Sequence, residues 1–420
     1  MRPVVYCKNM EKNLERKIKR FVYATTHRFF AVVQPAFQEV CRKELEAENI
    51  QVSGEVEGGI EFEGKLEEGW KANLLLRSAS RVYCRVGKFR AGAREEFYRK
   101  ARNIPWELWI SPHLPLRIEA VARSSRIHHE GVLRDTVYEA ITDRFFQEGM
   151  SPPPCLNEEE EGDVQRVLVR SNNAQCEISL DMSGKGLHRR GYRKETGEAP
   201  IREDLAAALL ILLGWKGKGV LCDPMTGSGT FSIEGALIAC QIPPGWNRTF
   251  VFQYWPSFRE ARWNYLKRSL EKEPCKTACC FASDMDGKIL SSARRNAASA
   301  GIEEKICFEQ RDFFSLNGKE VFDRFSVGEE TEKYLVLNPP YGKRLERDRQ
   351  QYVRIGKHLQ KAFSDWKTLV IAPAQVPLSE ISKPTGRIVG FRHGGEKVYA
   401  IISQAVRKKY IDIMPIPGVE

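Results

Sequence analysis

Past residue 218 the sequence settles into one rhythm, and that rhythm leaves few folds open. Short apolar runs at Gly219–Cys222, Ala278–Ser283, Ile306–Glu309, Leu335–Leu337 and Thr368–Ile371 read as strands. Between them lie stretches with helical spacing: Thr230–Cys240, Arg259–Glu271, Gly287–Ala300 and Gln351–Trp366. Strands that are apolar throughout and alternate with helices are buried on both faces, so they form a parallel sheet between helix layers. Arg387–Phe391 and Lys397–Ser403, joined through Gly394-Gly395, predict an antiparallel hairpin that closes the sheet. The fold class of this half is α/β, mostly parallel and Rossmann-like.

The first half follows another pattern. Phe29–Val33 predicts a strand, Pro35–Glu46 a helix, and Gly54–Phe62 a second, alternating strand. Trp70–Ala79 and Leu133–Phe146 predict helices, and Val82–Phe89 and Leu116–Ala122 predict strands. Val167–Val169 and Gln175–Leu180 alternate like a hairpin. This is an α+β region. Ser183–Arg202, rich in Gly, Arg and Lys, is the expected junction between the halves.

Composition narrows the function classes. Of 420 residues, 42% are hydrophobic and 29% charged, which excludes a disordered or fibrous chain. The net charge of +11 favours a polyanionic partner. It is unevenly spread. Glu39–Glu68 holds ten acidic and three basic residues, whereas Lys71–Arg134 holds fourteen basic and five acidic. That basic stretch also contains Tyr83, Phe89, Tyr98, Trp106, His128 and His129, a mixture suited to phosphates and bases. No apolar run is long enough to span a bilayer, and the N-terminus lacks the apolar core of a signal peptide. Eleven cysteines show no metal-ligand spacing, so we expect no metal and reduced thiols in a cytoplasmic protein.

Four motifs carry chemistry. In Asp223-Pro224-Met225-Thr226-Gly227-Ser228-Gly229-Thr230 a strand delivers a carboxylate, then a small-residue loop, then a helix start. Ligands of doubly wound sheets sit at such strand ends. The lysine of a phosphate loop is missing, and Ser232 stands where a dinucleotide loop has its third glycine. A carboxylate beside glycines suits a zwitterionic amino-acid tail, which S-adenosylmethionine has. Asp284 ends the next strand and suits a ribose; Asp286 is its alternative, or a helix cap. Asp312 follows the third strand, either as an acceptor for an adenine amine or as a cap. The fourth motif is Leu337-Asn338-Pro339-Pro340-Tyr341-Gly342. The Asn338 side-chain carbonyl and the Pro339 backbone carbonyl can accept both hydrogens of an exocyclic amine, and Tyr341 can stack on its base. The prolines keep the loop rigid.

Together, the Asp223–Gly229 loop and Asn338-Pro339-Pro340-Tyr341 resemble the class I S-adenosylmethionine-dependent amino-methyltransferases. Leu187-His188-Arg189-Arg190-Gly191-Tyr192-Arg193 with Ala199-Pro200-Ile201-Arg202-Glu203 narrows the match. So do Val121-Ala122-Arg123-Ser124-Ser125-Arg126 and Gly342-Lys343-Arg344-Leu345. These resemble the THUMP-containing RNA guanine-N2 methyltransferases, above all the bacterial large-subunit ribosomal RNA type (RlmL type) without its fused second methyltransferase. The likeness runs from about Thr26 to Ser403.

The resemblance implies roles. Asp223, Pro224, Thr226, Gly227, Gly229 and Thr230 would hold the methionine part of S-adenosylmethionine, Asp284 its ribose and Asp312 its adenine. Asn338, Pro339 and Tyr341 would be catalytic, with Asn338 also beside the cofactor. Arg123, Arg126, Arg189, Arg190, Arg193, Lys343 and Arg344 would meet RNA. The implied layout is a basic tail (1–24), a ferredoxin-like unit (25–68, completed by 165–182), a THUMP domain (69–164), a basic entry segment (183–202) and a methyltransferase domain (203–420). The expected reaction is N2-methylation of a guanine in 23S rRNA by a monomer. The alternatives are a tRNA guanine-N2 methyltransferase, a DNA adenine-N6 methyltransferase and a non-enzymatic RNA-binding protein.

Overall fold

A computed structural model describes residues 12–123, 129–156, 163–195, 200–271, 279–340, 345–376 and 387–405, without the side chains of 345–348. Its chain groups into two compact units. The first is Met1–Arg193, Arg202–Ala208 and Cys240–Pro274; the second is Lys194–Ile201, Leu209–Ala239 and Cys275–Glu420. This partition differs from a single boundary at 203.

The first unit is built on β1 (His27–Val32), β2 (Gln51–Val56), β3 (Gly59–Gly64), β4 (Arg81–Arg90), β5 (Leu116–Arg123), β6 (Gln165–Asn172) and β7 (Gln175–Asp181). They form one seven-stranded sheet in the order β2-β3-β1-β4-β7-β6-β5. The β6–β7 hairpin returns to this sheet, with β7 antiparallel to β4. Every neighbouring pair is antiparallel except β5–β6. Alternation gives the sheet two unlike faces. Phe29, Phe62, Cys84, Leu180, Ile178, Val167, Val169 and Ile118 are buried on one face. Helices Gln38–Ala47, Leu66–Leu75 and Glu130–Gln147 pack against the strands there.

Three features depart from the sequence reading. Gly54–Phe62 is a hairpin rather than one strand, turning at Gly58, whose φ of 84° favours glycine. Arg94–Arg102 is a helix with no apolar stripe, buried at Phe97 and Ala101 alone. In the described part of the basic N-terminal segment, 12–18 is helical and runs into a π-helical turn, Lys19–Tyr23. Ile18 and Val22 are buried, and the Tyr23 hydroxyl donates to the Ser257 carbonyl at 2.6 Å.

The inserted stretch Cys240–Pro274 supplies part of the first unit's core. Trp70 stacks on Phe252 and meets Phe258, and Trp263 packs edge-on against Phe252. Arg248 donates to the main-chain carbonyls of Gly186 (2.8 Å), Arg189 (3.1 Å) and Lys185. Burial holds that guanidinium down to about 10, with Arg190 adding repulsion.

The second unit holds β8 (Val220–Asp223), β9 (Cys280–Asp284), β10 (Ile306–Gln310), β11 (Lys333–Leu337), β12 (Lys367–Pro373), β13 (Arg387–His393) and β14 (Glu396–Ser403). The order is β10-β9-β8-β11-β12-β14-β13. The first five are parallel and the last pair runs as an antiparallel hairpin. Its two-residue turn has positive φ at both Gly394 and Gly395, as a type I′ turn requires. β8 and β11 are wholly buried apart from Lys333, as strands between two helix layers must be. The strand order reverses between β8 and β11, which places a ligand crevice at their carboxyl ends.

Candidate active site

Two functional strands end side by side at that reversal. Leu335 pairs with Cys222, so Asp223 and Asn338 emerge from neighbouring strands at the same edge of the sheet. Asp223 is 1% exposed. Its Oδ2 accepts from the Thr226 hydroxyl (2.7 Å), the Ser232 hydroxyl (2.7 Å) and the Ser232 backbone N–H (3.2 Å). Its Oδ1 is buried and meets no donor. Burial pushes this carboxyl up to about 6, against the pull of its hydrogen bonds.

The loop after Asp223 is shaped by two glycines. Gly227 and Gly229 have φ of 54° and 90°. A Cβ on Gly229 would stand 3.1 Å from Ala293 Cβ and 3.2 Å from Ile233 Cδ1. A Cβ on Gly227 would meet nothing within 4 Å, so that residue faces open space. Pro224 is buried in the turn and Thr230 opens the helix Thr230–Ala239.

Asp284 ties the loops after β8 and β9 together. Its Oδ2 accepts from the Gly227 N–H and its Oδ1 from the Asp286 N–H, both at 3.0 Å. Asp286 caps the helix Gly287–Ser299, accepting from Lys288 N at 2.8 Å. Asp312 also caps, accepting from Phe314 N at 3.1 Å, and its side chain is exposed beyond β10. Asn296 donates to the Ser228 carbonyl (3.1 Å) and the Glu195 carbonyl (3.0 Å), which fixes Lys194 and Glu195 beside the glycine loop.

At the end of β11, Asn338 is half-buried, Pro339 is buried and Pro340 is exposed. Asn338 Oδ1 is buried with no donor. An unpaired buried oxygen costs about 1–3 kcal/mol. The sheet leaves one such oxygen on each side of its reversal, both poised to accept from a bound molecule. Ser228 Oγ, from the glycine loop, and Ser283 Oγ, on β9, are likewise buried and unpaired. The unpaired Asp223 and Asn338 oxygens of this pocket edge fit a ligand that brings an ammonium group and an amine. Among the described residues no cluster of His, Cys, Asp or Glu has the makings of a metal site.

Comparison with known proteins agrees with this geometry. Residues 190–393 match the RMKL-like methyltransferase domain, and residues 28–83 match the RlmL ferredoxin-like domain. A protein from Synechocystis sp., named as an RNA methyltransferase (slr0064), is 30% identical over 89% of this chain and 95% of its own length. The chain belongs to the RlmL-like methyltransferase family. The ribosomal RNA large subunit methyltransferase K/L of Syntrophotalea carbinolica is 34% identical over 82% of this chain. The chain spans about half the length of such K/L relatives, 48% in that case. The crystal structure of SMU.472, described as a methyltransferase complexed with SAH, is 26% identical, with a TM-score of 0.75 over 91% of this chain and 99% of that one.

Against this family background, the arginines of the junction need sorting. Arg190 is buried and donates to the carbonyls of Leu187 (2.7 Å) and Arg77 (2.6 Å), so it holds the loop rather than facing a polyanion. Arg193 is ion-paired with Glu203 at 3.2 Å and mostly covered. Arg189 and Arg123 are exposed. Arg126, Tyr341, Lys343 and Arg344 lie outside the described residues. The sequence reading missed Ser232, which makes two of Asp223's three hydrogen bonds. Its signal was a hydroxyl in the first turn of the helix after the glycine loop.

Proposed function

We propose that this chain methylates the exocyclic N2 amine of a guanine in structured RNA, 23S rRNA in particular, with S-adenosylmethionine as methyl donor. The observation that carries the reading is the pair of unpaired buried oxygens, Asp223 Oδ1 and Asn338 Oδ1, at neighbouring strand ends. Asp223 would take the ammonium of the cofactor's methionine part, and Asp284 its ribose. Asp312, spent on a cap and exposed, would reach the adenine through its second oxygen. Bound S-adenosylmethionine supplies an electrophilic methyl group.

The rest is the chain's own work. Asn338 Oδ1 and the Pro339 carbonyl accept the two amine hydrogens, which directs the nitrogen lone pair out of the base plane. The buried Pro339 keeps that carbonyl from drifting. Tyr341 would cover the base by stacking. As the N–C bond forms and the donor's S–CH3 bond breaks to leave a thioether, the amine sheds one proton to solvent. Orientation and amine hydrogen bonds that strengthen with developing charge account for the rate, with no covalent intermediate. The base is taken unstacked, because its amine is out of reach inside a duplex. The first unit, in which we place a THUMP domain over 69–164, would grip the RNA; the protein would act as a cytoplasmic monomer.

Incubating the purified protein with labelled cofactor and 23S rRNA, then digesting to nucleosides for mass spectrometry, tests this. N2-methylguanosine is the expected product. Label in N6-methyladenosine would overturn the base assignment, and label in tRNA alone would move the substrate.

A further inference from the structure

The uncovered face of the first sheet carries groups that the methyl-transfer site does not use. The pairing registers place Lys88, Glu177, Arg170 and Val121 on one rung across β4, β7, β6 and β5. The next rung is Arg90, Gln175, Asn172 and Arg123. Residues paired across strands share a face. All of these except half-buried Glu177 are exposed. At about 4.8 Å between strands, each rung spans roughly 14 Å.

The carboxylates on this face are paired, including Glu119, two residues before Val121 on β5, which Arg166 approaches at 3.6 Å. Glu63 is held by Arg28 at 3.2 Å, and Glu61 and Glu177 are both held by Arg85. The carboxylates near β1 and β3 are thereby consumed. Lys88, Arg90 and Arg170 have no ion pair among the described residues. Arg123 approaches Glu57 only to 3.9 Å, with both side chains in solvent. Arg170 lies over the Phe30 ring at 5.6 Å, flat against the sheet. Between the cations stand two amides, Asn172 and Gln175, which both donate and accept. Val121 is the single apolar side chain of the two rungs, too little for the buried apolar anchor on which protein interfaces depend.

We propose that this four-strand face, through Lys88, Arg90, Arg170 and Arg123, binds the phosphate backbone of the RNA substrate. The proposal rests on the RNA-methylation reading for the identity of the polyanion. Cations there position RNA without reading sequence, while the amides meet ribose hydroxyls and phosphate oxygens.

The test is salt-dependent binding of a labelled 23S rRNA transcript by the full chain. Each phosphate contact contributes roughly 0.7–0.9 to the slope of log K against log salt. K88A/R90A/R170A should lower that slope by roughly 2–3 and weaken binding at least about tenfold at moderate salt. K88R/R90K/R170K should keep the wild-type slope, which guards against a merely unfolded triple variant. K43A/R268A/R294A removes the same charge elsewhere and should change the slope by less than about 1. An unchanged slope in K88A/R90A/R170A, or an equal fall in both alanine triples, overturns the proposal. So does competition by polyglutamate as strong as by RNA, which would mark an acidic-protein surface. Nucleoside analysis of the same RNA reads the reaction separately. Wild-type binding with no methyl transfer would sink the reaction and leave the surface standing.

Discussion

The two sheets have seven strands each and use them in opposite ways. In the second, β8 and β11 are buried on both faces, so chemistry can appear only where strands end, and Asp223, Asp284 and Asn338 all sit there. In the first, alternation leaves part of one face, over β5 and the ends of β4, β7 and β6, in solvent, so side chains there reach out in rows. A parallel sheet thus offers a line of backbone-anchored points, suited to a small ligand. A half-covered antiparallel sheet offers an area, suited to a polymer.

Substitutions can break this contrast, and the strand ends should be the most sensitive. Asn338→Ala should cut methyl transfer by about 10²–10³-fold while cofactor affinity, by calorimetry, stays within about threefold. Retained activity would remove the amine-holding role. Arg190→Ala comes next, but in stability: it strips two charge-donated hydrogen bonds from a buried loop, about 3 kcal/mol by urea unfolding. If Arg190 served RNA instead, stability would hold and affinity would fall.

Asp223 sharpens the comparison through pH. Its folded value, about 6, stands above the unfolded carboxylate value of about 3.9. Protonation therefore favours the folded chain without ligand. The stabilisation, on the order of 2–3 kcal/mol, is complete below about pH 4 and is lost as pH rises through about 6. Cofactor binding runs the other way, since an ammonium needs the carboxylate. Its Kd should rise about tenfold per pH unit below 6. Asp223→Asn should flatten both profiles; a wild-type profile in that variant would place the titration elsewhere. Gly229→Ala forces a side chain into a φ of 90° against Ala293 and should cost about 1–2 kcal/mol in thermal unfolding. Smallest is Arg189→Ala, within about 0.5 kcal/mol in stability because its side chain is exposed.

Burial explains what was legible in the sequence. The central strands β8, β11 and β12 are buried almost throughout and were visible as apolar runs; the glycine loop and Asn338-Pro339-Pro340 announced the site because their residue types are costly elsewhere. β2 was lost because it is a polar edge strand, so its hairpin with β3 looked like one strand. Arg94–Arg102 was lost because its helix buries just two residues. In Arg189-Arg190-Gly191-Tyr192-Arg193 three like side chains lie within five residues, yet one faces solvent, one clamps carbonyls and one pairs with Glu203. No sequence period separates them, because the deciding partners, Arg77 and Glu203, lie elsewhere in the chain. Asp286 and Asp312 were legible as caps or ligands, and capping is what the structure shows of both.

The return of Cys240–Pro274 to the first unit sets a schedule for synthesis. Trp70 leaves the ribosome long before Phe252 and Phe258, the rings it packs against, and Trp263, which packs on Phe252. At about 5–20 residues per second that delay is roughly 10–40 s. Throughout it the nascent chain displays an unfinished aromatic surface while β8 and the glycine loop of the other unit are already being made. The first unit therefore stays incomplete until residues 240–274 have been made, after part of the second unit has already emerged, and translation speed across residues 209–274 becomes a determinant of yield.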